Sequence, residues 1–271
     1  MKNLKLYMSF LTLIILFSSC TKVINIKTGN ESGELDIEAN VVDTSGLQTI
    51  TLSRNVPFTN TNVYPPVTGA KVSVSDPSGT IYTFAEGPNG TYTNPLLTGI
   101  SGNAYKMTVT VGDTTYNATS TMPAKVALDS VTSQNLPLQS GSNPKQEIVA
   151  HYQDPAGVAN YYRLVLFVNG VQVKAVYAFD DEFNDGKYVN NILMPPMGSG
   201  SDEVDIYAGD KVTVILQCID EPMYQYWYTL EQQSGNGGAN VTPSNPPTNI
   251  TPVSLGYFSA HTSQSMTITV K

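Results

Sequence analysis

The stretch Tyr161–Phe179, YYRLVLFVNGVQVKAVYAF, decides the fold class. Two runs of apolar, β-branched and aromatic residues flank Asn169-Gly170. That dipeptide signals a type I′ turn, in which both central residues take φ > 0. A hairpin joining Tyr161–Val168 to Val171–Phe179 is therefore expected.

Outward from this hairpin the same alternation recurs. Upstream, a strand is expected at Val126–Val131, then a polar loop at Gln134–Lys145, then Ile148, Ala150 and Tyr152 on one face of another strand. Downstream, strands are expected at Tyr188–Leu193 and Lys211–Ile219, with Met266, Ile268 and Val270 closing the chain. One helix interrupts the series. Asp220 can cap it and Pro222 fits its first turn, while Met223, Tyr226, Trp227 and Leu230 share one face before Ser234-Gly235 ends it. Gly235–Pro247 then reads as a surface loop.

The first half alternates as well. Leu35, Ile37, Ala39 and Val41 are followed by Ile50 and Leu52, Val72 and Val74, then Met107, Val109 and Val111. Turn chemistry separates these runs at Asp76-Pro77-Ser78-Gly79, Pro88-Asn89-Gly90 and Gly112-Asp113. The expected fold is thus mainly all-β, with two β-sandwich-like domains. The first, 34–124, is immunoglobulin-like or transthyretin-like. The second, 125–271, is a β-sandwich with one packed helix near 221–233, the boundary falling at Met122-Pro123-Ala124.

The amino terminus has a different character. Lys2 and Lys5 precede an apolar run from Leu6 to Phe17, and Ser18-Ser19 stand directly before Cys20. Twelve residues at helical rise cover about 18 Å, short of the roughly 30 Å hydrocarbon core. Residues 1–19 therefore read as a lipoprotein signal peptide, Cys20 as the lipidated new amino terminus, and 20–33 as a tether. Removing 1–19 takes away two lysines and no acidic residue, moving the formal charge from −8 to −10. Such a chain repels nucleic-acid phosphates, so no nucleic-acid partner is expected. The other cysteine, Cys218, stands on the inward side of an alternating strand and reads as a buried, inert thiol.

Few residues suggest chemistry. Asp180, Asp181, Glu182 and Asp185 crowd into one short stretch and form a candidate oxygen-ligand set for Ca²⁺, set against the reading of a solvated acidic loop. The glycine falls one position away from where an EF-hand loop needs it. His151 and His261 lack ligands at metal-binding spacing. No nucleophile elbow, zinc-protease motif, phosphate loop or dinucleotide fingerprint occurs, so neither catalysis nor a cofactor is expected. The cluster Tyr224, Tyr226, Trp227 and Tyr228 has helical spacing and reads as a core face rather than a ligand platform. Thr114, in Asp113-Thr114-Thr115, and Ser130, in Asp129-Ser130-Val131, match a short O-glycan acceptor pattern of exported proteins.

The order of motifs resembles the lipoprotein family named domain of unknown function 4249, widespread in Bacteroidota. The resemblance lies in Asp154-Pro155-Ala156-Gly157 followed by Asn160-Tyr161-Tyr162-Arg163, Asp181 to Gly186, Gly209-Asp210, Ile219-Asp220 with Tyr226-Trp227, and Leu255 to Ala260. Arg54, Pro65-Pro66-Val67 and Ala70-Lys71-Val72 extend it into the first half. The chain departs from the pattern at Pro252-Val253-Ser254, where relatives often carry two glycines. What the resemblance implies is an outer-membrane lipoprotein encoded beside a TonB-dependent transporter, with no catalytic residues to carry over. The expected function is an accessory or binding role in nutrient uptake, with a structural or adhesive surface lipoprotein as the alternative. No acidic cluster follows Cys20, which leaves the leaflet open, the surface-exposed one being preferred to the periplasmic one.

Overall fold

Alternation with period two runs through nearly every segment, and the described residues of the computed structural model are accordingly strands with one α-helix. The structure describes residues 33–57, 63–137, 143–195, 204–233 and 244–271. The expected signal peptide at 1–19, Cys20 and all of the expected tether but Gly33 lie outside the described residues.

The strands in chain order are β1 (Leu35–Val42), β2 (Gln48–Arg54), β3 (Lys71–Ser75), β4 (Ile81–Glu86), β5 (Thr91–Asn94), β6 (Ala104–Val111), β7 (Thr114–Thr121) and β8 (Ser130–Asn135). They continue as β9 (Gln146–Gln153), β10 (Tyr161–Val168), β11 (Val171–Gln172), β12 (Tyr177–Asp180), β13 (Tyr188–Leu193) and β14 (Lys211–Ile219). Helix α1 (Glu221–Gln233), β15 (Ile250–Thr251) and β16 (Leu255–Thr269) complete the chain.

A large sheet runs in the order β11-β10-β14-β16-β1-β2-β5-β4-β3-β6-β7-β15, and a small one in the order β13-β9-β8. The large sheet folds over on itself at its β4 region. Ile37 of β1, Leu52 of β2 and Phe258 of β16 thereby share one core with Val74 of β3 and Met107 of β6. The small sheet supplies Ile148 and Tyr152 to a second core, met by Leu164 and Leu166 of β10 and Val214 and Leu216 of β14. Both arrangements are sandwiches in which inward residues alternate with outward polar ones.

β16 joins the two. Its first part runs parallel to β1, from Asp36 opposite Leu255 to Val42 opposite His261. Its second part runs antiparallel to β14, from Cys218 opposite Thr262 to Lys211 opposite Thr269. Residues 32–271 accordingly form one compact unit, even though their apolar side chains divide between separate cores.

Several expectations shift in register. The Asn169-Gly170 turn is present, with φ of 51° and 83°. Its second arm, however, is broken: β11 pairs Val171 with Val168, while β12 pairs Tyr177 with Leu164, so the pairing offset grows by two residues between them. The expected strand at Val126–Val131 begins instead at Ser130 and extends to Asn135, into the expected polar loop. Val126 and Leu128 are buried outside any strand, where Cys218 Sγ accepts the Val126 N–H at 3.3 Å. Cys218 is a buried free thiol, and burial pushes its pKa up. Helix α1 starts where the capping signal placed it, with Asp220 Oδ1 accepting the Met223 N–H at 3.3 Å.

Candidate functional site: a cleft under the helix and an acidic clasp

Asp36 lies on β1 between Leu35 and Ile37, both inward, so its own side chain points out of the first core. On a bare sheet that direction would mean water. Here α1 covers the same face: Trp227 meets Tyr257 of β16 edge to face, and Tyr226 lies 5.0 Å from the Tyr257 ring centroid. Beneath the helix, the Arg163 guanidinium sits 3.5 Å above the Trp227 ring and donates to Gln217 Oε1 at 3.3 Å. A polar sheet face is thereby buried. His261 is held between Ser259 and Gln217, and burial, then the nearby Arg163 charge, lowers its pKa to about 4.

At the edge of this covered face opens a cleft of about 690 Å³, lined by Asp36, Arg54, Tyr64, Tyr116, Tyr226 and Gly256 among others. Arg54 Nη1 donates to the Gly33 carbonyl at 2.5 Å, which fixes the guanidinium at one wall. Gly256 has φ of +86°, and a Cβ there would lie 2.1 Å from the Ile37 carbonyl oxygen and 2.5 Å from Asp36 Oδ1. Only glycine lets β16 approach β1 so closely at this point. Asp36 Oδ1 is buried and has no hydrogen-bond partner. Burial, and then the negative charge of Glu38, raises the Asp36 pKa to about 6. Burial likewise raises the Tyr226 phenol, with Asp36 adding to the effect.

The acidic stretch lies elsewhere, beside the second core. Asp180 is drawn away, accepting the Tyr224 hydroxyl at 2.7 Å, and Glu182 points outward. Asp181 and Asp185 instead converge with Asp154 from the loop before β10, the three presenting carboxylate oxygens within 4.8 Å of one another. The candidate Ca²⁺ set Asp180, Asp181, Glu182, Asp185 is thus replaced by Asp154, Asp181 and Asp185. Each of these carboxylates binds the opposite loop. Asp154 accepts the Tyr162 hydroxyl at 2.5 Å and the Gly186 N–H at 3.0 Å. Asp181 accepts the Asn160 N–H at 2.9 Å, and Asp185 the Gly157 N–H at 2.6 Å. These three are the residues that could hold a hard cation, but their hydrogen bonds already define a loop-to-loop clasp.

Other residues singled out from the sequence are placed plainly. Thr114 is exposed at the start of β7 and Ser130 is half-buried at the start of β8. His151 contacts Thr132 Oγ1 at 2.7 Å and Asn190 Oδ1 at 2.5 Å. Of the aromatic cluster, Tyr224 and Trp227 are buried as expected of a core face, whereas Tyr226 reaches the cleft.

A family model described as "Domain of unknown function (DUF4249)" matches residues 21–267. The chain belongs to the DUF4249 family. No curated protein matches it. Within this DUF4249 chain, the stretches that carried the sequence resemblance fall on the structural joints. Asp154–Gly157 and Asp181–Gly186 are the two sides of the acidic clasp. Ile219-Asp220 leads into α1, and Leu255 to Ala260 is the part of β16 that borders β1 and the cleft.

Proposed function

We propose that this DUF4249 protein is a lipid-anchored binding protein of the outer membrane that serves a TonB-dependent nutrient-uptake system and performs no catalysis of its own. The observation that carries the reading is the juxtaposition at Cys20: a basic, apolar, small-residue leader ends at this cysteine, and the family match begins at the next residue. No helix among the described residues is long and apolar enough to cross a membrane. The described residues offer a solvent-open cleft of small-molecule size, which supports a binding role.

Metabolic labelling with a clickable fatty acid tests the anchor: wild type takes up label and Cys20→Ala does not. Label on Cys20→Ala would refute it. Mild-detergent pull-down from native membranes tests the partner, with a TonB-dependent barrel as the expected companion. Repeated recovery of the protein without any barrel would count against uptake and leave the adhesive reading in its place.

A further inference from the structure

We infer that the cleft beside Asp36 is a recognition site for a small organic cation, a ligand carrying an ammonium or guanidinium group. The inference rests on the reading of the chain as a binding protein, but on neither the lipid anchor nor the transporter.

Four observations converge on it. The cleft volume of about 690 Å³ lies in the range of small-molecule sites, roughly 300–1,000 Å³. One of its walls holds Asp36, whose buried Oδ1 lacks a donor. A buried acceptor left unpaired is costly, and a positive charge held in the adjacent cleft offsets that cost electrostatically. Among the described residues the carboxylate has no counter-ion: the ion pairs there join Lys125 to Asp43 and Lys145 to Asp205, and Asp36 is in neither. The basic group nearest in the lining, Arg54, is turned to the Gly33 carbonyl.

Aromatic rings supply the third element. Tyr64, Tyr116 and Tyr226 line the same space, and ring faces attract cations within about 6 Å of their centroids. A carboxylate together with several tyrosines selects a positive group with an organic body. Charge supplies the fourth. Glu34 lines the cleft with Asp36, and the whole chain carries a formal −8, so anions are repelled and cations drawn in. The rim is apolar as well, Tyr64 and Val253 being 54% and 85% exposed, which suits the carbon skeleton of such a ligand.

The charged and titratable groups around Asp36 are Glu34 and Glu38 near it on the chain, Arg54 from β2, Tyr226 from α1 and Tyr257 from β16. Of these, Asp36 is the one displaced into the mildly acidic range, so cation binding should weaken as it protonates.

The test is calorimetry on the purified full chain in detergent with choline, agmatine and spermidine, against glucose, cellobiose and acetate. At least one cation is expected to bind at pH 8 with a dissociation constant below about 1 mM. Its affinity should fall at least about tenfold at pH 5 and in Asp36→Asn. Tyr64→Ala, at a rim position that is 54% exposed, should weaken binding while leaving the melting temperature unchanged. This keeps the test decisive if Asp36→Asn misfolds. Absence of cation binding, equal binding by Asp36→Asn, or preference for the neutral sugars would overturn the assignment. A chain that binds the cation but recovers no barrel sinks only the transporter partnership, and one that recovers the barrel but binds no cation sinks only the cleft.

Discussion

Ser120 Oγ donates to Asp220 Oδ2 at 2.7 Å, a hydrogen bond between residues 100 apart in the chain. The Thr121 N–H reaches the same oxygen at 3.0 Å, and Ser120 in turn accepts the Ala260 N–H at 2.8 Å. Asp220 therefore caps α1, ties the helix to β7 and, through Ser120, ties both to β16. Asp220→Ala removes the cap and strands buried donors, with an expected loss of about 2–4 kcal/mol. Urea unfolding of the two proteins measures it, and a loss below about 0.5 kcal/mol would show that the junction does not depend on this carboxylate.

The acidic clasp depends on close packing at Gly186, whose φ is +69° and where a Cβ would lie 2.8 Å from Ala156 Cβ. Gly186→Ala should cost about 1–3 kcal/mol and loosen the clasp, because it adds both backbone strain and a clash. Hydrogen exchange at the Gly157 and Asn160 amides, which Asp185 and Asp181 hold, should quicken in the variant. Unchanged protection at both would contradict the clasp.

Asp36 gives stability a definite pH dependence. Its pKa rises from 3.8 to about 6 on folding, so in that interval the folded chain keeps a proton that the unfolded chain has lost. Stability from this group therefore falls as pH rises from about 4 to 6, and the full cost persists at neutral pH. Asp36→Asn should match wild type near pH 3.5 and exceed it by about 1–2 kcal/mol at pH 7, after a discount for solvent at the cleft. Denaturant titrations at the two pH values supply the comparison. A variant equally stable at both would dismiss the buried-carboxylate account.

At the hairpin tip, Asn169 does more than tolerate φ of 51°. Its side chain donates to Asp210 Oδ1 at 2.9 Å and accepts the Lys211 N–H at 3.0 Å, pinning the turn to the start of β14. Asn169→Ala loses both bonds and adds left-handed strain, an expected cost of about 1–3 kcal/mol. Asn169→Gly relieves the strain only and should recover part of the loss. Thermal melts order the three proteins wild type, Gly, Ala, and a Gly variant no better than Ala would remove strain from the account.

What was legible in the sequence was local. Leu35, Ile37, Ala39 and Val41 announce β1, Asn169-Gly170 announces the hairpin, and Asp220 with Pro222 announces α1, since each signal is written within a few residues. The misses have a common cause. Gly256, Ser259, His261, Thr262 and Ser263 break the apolar alternation, so only the end of β16 reads as strand. Ser259 and His261 are buried on a face that α1 roofs over, where His261 and Gln217 satisfy each other, and Thr262 is buried opposite Cys218. For the same reason Tyr226 reads as pure core although it lines the cleft. Asp154 could not be matched to Asp181 and Asp185 by counting carboxylates along one loop, because it arrives from another. The signal that could have joined them is the pairing of β10 with β12, which sets Tyr161 opposite Asp180 and brings the two loops to one end.

The placement of β16 has a consequence for how the protein comes into being. Phe258 and Ala260 fill the first core, while the last part of the same strand closes the sheet over the second. Neither half can finish folding on its own as the polypeptide is made, because residues 255–269 are needed by both. A chain emerging from a ribosome therefore stays incomplete until that segment is through.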